Sequence, residues 1–137
     1  MLKAIVGLPG SGKSGLMHGM KGFIILDDMG DDRTWGSGAW QKNIELVYHC
    51  LEKGYDVVVS DVGFCEDEKR KWFRAQFPTV QWEFFENDPE PCVENVTRRY
   101  PLEPRTHSLE AEIDTIKRLS QVYNPGDNRH KCYRPPS

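Results

Sequence analysis

An α/β fold in three layers, with a mainly parallel sheet of four or five strands flanked by helices, is what this sequence predicts. Three observations predict it. Short apolar runs of strand length alternate four times with helical patterns, the order that parallel strands joined by crossovers require. Phe23-Ile24-Ile25-Leu26 is an unbroken apolar run, and Val57-Val58-Val59 is the apolar centre of another, as in strands covered on both faces. Finally, the first apolar run leads into Gly7-Leu8-Pro9-Gly10-Ser11-Gly12-Lys13-Ser14, a glycine-rich stretch that meets the pattern G-x-x-x-x-G-K-[ST].

Taken in order, Leu2–Val6 reads as the first strand and residues 12–21 as the first helix, weakened by Gly15 and Gly19. Residues 23–26 form the second strand, ending in Asp27-Asp28, and residues 29–38 read as a mobile loop. Trp40, Ile44, Val47 and Leu51 mark one face of a helix over 39–53, stopped by Gly54. Tyr55–Ser60 is the third strand, with Asp61 just past it. A helix over 66–77 has acids first and bases after, as its dipole favours; most of the bases read as a solvated face. Residues 80–85 are the fourth strand. Asp88-Pro89 caps and opens a helix ending in Arg98-Arg99. Pro101 and Pro104 enforce a loop that carries Arg105, Ser108 caps a helix over 109–123, and 124–127 is a turn. The tail either adds a short edge strand at 131–134 or lies loose.

Composition bounds the function. A chain of 137 residues is expected to be one domain, 1–137, with 89–108 as a lid region and 124–137 as a C-terminal tail. Its 38% hydrophobic and 28% charged content suits a globular protein in water, and no run approaches the roughly 18–20 apolar residues of a membrane span. The sequence opens directly in a strand, so no signal peptide is expected, and its four cysteines are scattered, with no C-x-x-C pair. A cytoplasmic protein with reduced thiols is therefore expected. A net charge of −3 argues against an extended nucleic-acid footprint, but not against a few local arginines gripping a strand end.

The glycine-rich stretch has a specific physics. Such a turn points successive backbone N–H groups at a phosphate chain, and the helix that follows adds the positive end of its dipole. Gly7, Leu8, Pro9, Gly10, Ser11, Gly12, Lys13 and Ser14 are thus the expected ATP-binding residues. Lys13 would reach the β- and γ-phosphates, and the Ser14 hydroxyl would ligate Mg²⁺. Ligands of open α/β sheets collect at the carboxyl ends of strands, so Asp27, Asp28 and Asp61 share that edge. Asn124-Pro125-Gly126-Asp127 is not the N-K-x-D segment of a GTPase, and motor ATPases need far more chain. A small kinase-type P-loop NTPase remains.

On Gly7–Ser14, Leu26-Asp27-Asp28, and Val57–Asp61 followed by the charged helix Glu66–Trp72, the chain resembles small P-loop kinases of the phage polynucleotide kinase type, with zeta-toxin-like kinases as relatives. It departs from them at Gly15, where Thr is usual, at Val62-Gly63, and in having no arginine close behind the aspartate pair. The resemblance implies phosphoryl transfer from ATP to a hydroxyl, with Lys13, Asp27 and Arg98 or Arg99 as the catalytic set. Asp27 would be the general base, with Asp28 as the alternative or as its orienter. One of Arg98 and Arg99 would enter from the lid, with Arg105 a third candidate. Asp61 would hold Mg²⁺ through water or touch the acceptor. Arg33 is read as a phosphate clamp or a surface arginine, Trp35 as a base-stacking platform or a lid contact, and Asp31 and Asp32 as a solvated loop. The expected acceptor is a polynucleotide, at a 5′-hydroxyl end or a hydroxymethyl base. A small molecule (nucleotide, nucleoside or sugar) is the alternative, and a non-catalytic nucleotide-binding domain the further one.

Overall fold

The computed structural model describes residues 1–102, 108–127 and 129–135. Four strands, β1 (Leu2–Val6), β2 (Phe23–Leu26), β3 (Asp56–Ser60) and β4 (Gln81–Phe84), form one sheet in the order β2-β3-β1-β4. All neighbours pair in parallel, with Ala4 opposite Val59 on one side and Trp82 on the other. The helices are α1 (Lys13–His18), α2 (Asp32–Trp35), α3 (Ala39–Glu52), α4 (Asp67–Gln76), α5 (Pro89–Arg99) and α6 (Leu109–Ser120). None of the described helices is long and apolar enough to cross a membrane.

The period of two along each strand divides the core between the sheet faces. Leu2, Ala4, Val6, Val57 and Val59 point into the larger core, with apolar residues of α3, α4, α5 and α6. Ile5, Val58 and Phe85 point the other way, against Met17, Leu16 and Met20 in and just beyond α1. On the larger side the Phe64 ring meets those of Phe73, Trp82 and Trp40 edge-on at 5.0, 5.3 and 5.7 Å. Phe64 and Phe73 are fully buried, and each such ring contributes about 1.5–3 kcal/mol by leaving water.

Several elements differ from the sequence expectation. The first helix ends at His18 rather than residue 21, and Gly19 closes it. The last ends at Ser120, short of residue 123. Residues 29–38 are not a plain loop. Asp31 caps α2, accepting from the Arg33 N–H at 2.9 Å; the Asp32 carboxylate accepts from the Ala39 N–H at 2.9 Å, and buried Asn43 donates to the Met29 carbonyl at 2.6 Å. Asp31 and Asp32 are therefore fastened to their own segment. Gly30 lies flat on Trp40, where a Cβ would overlap the indole. Arg70 is buried, unlike the solvated bases around it: it donates to the Phe64 and Asn124 carbonyls at 2.6 and 3.0 Å and pairs with Asp67.

The tail forms no strand over 131–134, nor is it loose. His130 makes a single parallel bridge with Phe85. Beyond it, the Tyr133 N–H donates to the Ser11 carbonyl at 2.9 Å, and Asn95 donates to the carbonyls of Tyr133 (2.6 Å) and Gly10 (2.9 Å). Arg134 takes the Asp88 carboxylate at 2.6 Å, so Asp88 caps α5 by position while its side chain serves the tail. Arg105 lies outside the described residues.

Candidate functional site

The carboxyl end of β1 opens into the glycine-rich loop, and the loop closes onto α1 at Lys13. Gly10 and Gly12 have φ of +81° and +108°, a left-handed backbone that side chains rarely adopt. At Gly10 space forbids a side chain as well: a Cβ would lie 2.6 Å from the Cys92 carbonyl of α5. Lys13 is only 7% exposed, and its ammonium donates to the carbonyls of Gly7 at 2.9 Å and Leu8 at 3.0 Å. The buried Ser11 hydroxyl has no hydrogen-bond partner among the described residues.

One residue on, the Ser14 hydroxyl donates to Asp27 at 2.5 Å. The other Asp27 oxygen accepts from the Ser60 hydroxyl, also at 2.5 Å. The first residue of α1 beyond Lys13, the end of β2 and the end of β3 thus converge on one carboxylate. The Trp35 indole N–H donates to the Asp27 carbonyl at 3.0 Å and its ring packs on the larger core. Trp35 supports Asp27 from behind and is not in the cavity wall. Asp28 sits at φ +51°, the one non-glycine residue with a left-handed backbone among those described. Such strain persists where the surroundings over-determine it, often at functional sites. Burial raises the Asp28 pKa, with the charges of Asp27, Asp61 and Asp31 acting the same way and Lys13 opposing.

Asp61 is 8% exposed. One of its oxygens accepts from the Gly30 N–H at 3.0 Å and the other from the Gly63 N–H at 2.8 Å. Burial raises its pKa against those two bonds and the charges of Lys13 and Lys69. Asp61 ties the α2 segment to the end of β3, a structural task beside any role in metal or acceptor binding. The Arg33 guanidinium forks onto Asp31 at 3.1 and 3.3 Å and holds that carboxyl below its usual pKa.

These groups line a cavity of about 610 Å³. Its walls hold the expected Lys13, Ser14, Asp27, Asp28, Arg33, Asp61 and Arg99 together with Pro9, Gly10 and Gly12 of the loop. Arg98 is not in the wall; it donates to Asn95 at 3.1 Å. Sequence reasoning missed the far wall, made by Ala111, Glu112 and Thr115 of α6. A signal existed: Glu112 occupies the stripe that continues through Ile116, Leu119 and Tyr123, all buried, and a carboxylate there needs a reason. Six carboxylates (Asp27, Asp28, Asp31, Asp32, Asp61, Glu112) face three cations (Lys13, Arg33, Arg99), so the wall is acidic. Among the described residues, no three His, Cys, Asp or Glu side chains are grouped to hold a metal ion. A second, mostly apolar cleft adjoins the loop, between Gly12, Gly15 and Leu16 on one side and Phe85, His130, Lys131 and Tyr133 on the other.

No protein-family model and no curated protein matches the sequence. Among solved structures, the chain is similar to one in the Pnkp1/Rnl/Hen1 RNA repair complex, with a TM-score of 0.69 and 13% identity over 88% of this chain. The match covers 44% of that chain, so this protein spans less than half the length of its neighbour. At this identity the likeness shows the fold: a parallel four-stranded sheet flanked by helices.

Proposed function

We propose that this chain is an ATP-dependent kinase with the P-loop NTPase fold, transferring the γ-phosphate of ATP to a hydroxyl group. The observation that carries the reading is the convergence of Lys13, Ser14 and Asp27 at the mouth of the glycine-rich loop. The loop suits a phosphate chain. Its left-handed glycines free backbone N–H groups to turn inward, Lys13 is held at the rim, and the Ser11 hydroxyl is buried without a partner among the described residues. Mg²⁺, when bound, neutralises phosphate oxygens. The chain's own groups do the rest. Lys13 exchanges its two carbonyls for phosphate oxygens. Asp27, accepting a hydrogen bond from the Ser14 hydroxyl, would leave that oxygen's lone pairs free for the cation. Asp27, with Asp28 as the alternative, takes the acceptor proton as the acceptor oxygen bonds to the γ-phosphorus and the β–γ bridge breaks. Arg99 meets the charge on the group in transfer. The apolar cleft beside Phe85 and Tyr133 suits the base of the donor.

A polynucleotide is the acceptor we put first. The resemblance to polynucleotide kinases supports it, as does a structural neighbour drawn from an RNA repair complex. One observation favours a small-molecule acceptor instead: the cavity is acidic, and both of its arginines are engaged, Arg33 by Asp31 and Arg99 by Glu112. A phosphate-bearing strand end would meet that wall at an electrostatic cost.

The test is transfer of labelled γ-phosphate with Mg²⁺ to a panel of 5′-hydroxyl DNA and RNA, hydroxymethyl-base DNA, nucleosides, nucleotides and sugars, with Lys13→Ala as control. Label on a polynucleotide, lost in the control, is the expected result. Label on small molecules alone overturns the polynucleotide reading. ATP binding without transfer to any acceptor sinks the kinase reading in favour of a nucleotide-binding domain.

A further inference from the structure

The far wall of the cavity contains a buried charge for which the reaction as described has no use. Glu112 is 4% exposed, one turn into α6, and its carboxylate stands 3.5 Å from the Arg99 guanidinium at the end of α5. Arg99 is one-third exposed and faces the cavity, while its neighbour Arg98 turns to Asn95 on its own helix. Burying a carboxylate is unfavourable before any pairing, and a buried ion pair rarely stabilises more than apolar residues of the same volume. Such a pair earns its place by fixing geometry. The N-terminal dipole of α6 favours the anion there. The two residues also bracket the connection between α5 and α6, so their pairing ties the end of one helix to the start of the next.

We infer that Glu112 is the positioning residue for Arg99, holding the guanidinium in the cavity wall opposite the glycine-rich loop and making Arg99, rather than Arg98, the arginine that meets the phosphoryl group. The inference rests on the kinase reading. It is an ordering role: an arginine at a helix end has several rotamers of similar energy, and a fixed carboxylate selects one that lines the cavity.

The experiment uses Arg99→Ala, Arg98→Ala, Glu112→Gln and the Arg99→Ala/Glu112→Gln double variant of the full chain. For each, kcat, KM for ATP and acceptor, ATP affinity at equilibrium and the melting temperature are measured. Arg99→Ala should lower kcat by about a hundredfold or more and Glu112→Gln by about tenfold, with ATP affinity within about twofold of wild type. Arg98→Ala should stay near wild type. The double variant should be no slower than Arg99→Ala, because the carboxylate acts only through the guanidinium. Free guanidinium ion, at tens of millimolar, should partly restore Arg99→Ala and should fail with the double variant, which has lost the carboxylate that seats it. A purely structural Glu112 would not produce that difference.

Wild-type kcat in Arg99→Ala overturns the inference and leaves the kinase reading standing. So does an additive double variant, or equal rescue of both backgrounds. Absence of transfer in the wild-type chain overturns both.

Discussion

Lys13 and Asp27 both spend their hydrogen bonds inside the protein, one on loop carbonyls and the other on two serine hydroxyls. Asp28 is different. Among the described residues its carboxylate has no hydrogen bond, it faces the cavity, and it combines a left-handed backbone with burial beside three other carboxylates. The thermodynamic sign follows from the raised pKa. The unfolded chain ionises Asp28 at the usual value, about 3.8, and the folded chain only at higher pH. Asp28's contribution to stability is therefore most favourable below the usual carboxylate range and is lost as pH rises from there through the folded pKa. Asparagine tolerates the same backbone and carries no charge. Asp28→Asn should raise the melting temperature at pH 7 by a few degrees, as relief of one unfavourable charge does in a domain of this size. The advantage should fade as the pH is lowered toward 4. Thermal melts of both proteins from pH 4 to 8 check this; an advantage that is constant with pH would mean that charge is not its origin.

Between residue and fold, the elements that position the site are joined by a few buried polar side chains. Tyr123, just past α6, is the clearest. Its hydroxyl donates to the Phe85 carbonyl at 2.5 Å and lies 3.3 Å from the Val6 carbonyl, at the carboxyl ends of β4 and β1. Burial raises its pKa beyond any working range, so the hydroxyl stays protonated and donating. It keeps α6, with Glu112 and Thr115, at a set distance from the strand that feeds the loop. Tyr123→Phe removes the donor and strands the Phe85 carbonyl. Urea denaturation should show a loss of about 1–3 kcal/mol. No change in the midpoint would mean that water replaces the bond or that the contact is not made.

At the scale of the whole molecule, the two sheet faces are unequally covered. Four helices and an aromatic cluster fill one, while α1 and Phe85 guard the other. The C-terminal tail joins both sides: Cys132 is buried in the larger core, and His130 bridges Phe85 of the thin side. It touches the loop at Ser11, reaches α5 through Asn95, and walls the apolar cleft with His130, Lys131 and Tyr133. Deleting residues 128–137 should therefore cost stability and, on the proposal that the cleft takes the donor base, lower ATP affinity by about tenfold as that apolar contact is lost. Titration with a fluorescent ATP analogue decides it. Undiminished affinity in a folded, truncated chain would remove the cleft from the donor site.

Much of this was legible in the sequence because the signals are local. Strand runs, helix stripes, glycine stops and the Ser108 cap depend on neighbours within a few residues, and the four strands and five longer helices lie where those patterns put them. The loop from Gly7 to Ser14 was equally plain, since its glycines and lysine are contiguous. What the sequence left open depended on residues far apart in the chain. The Ser60 hydroxyl on Asp27 spans 33 positions, the Asn95 contact with Gly10 spans 85, and the Tyr123 bond to Val6 spans 117. Arg98 and Arg99 are adjacent and chemically identical, so only the direction each takes from α5 separates them. Periodicity names the buried face of a helix, but the partner that face meets is chosen by packing. For that reason the wall of α6, the direction of Arg99 into the cavity and the seat of the tail belong to the tertiary structure alone.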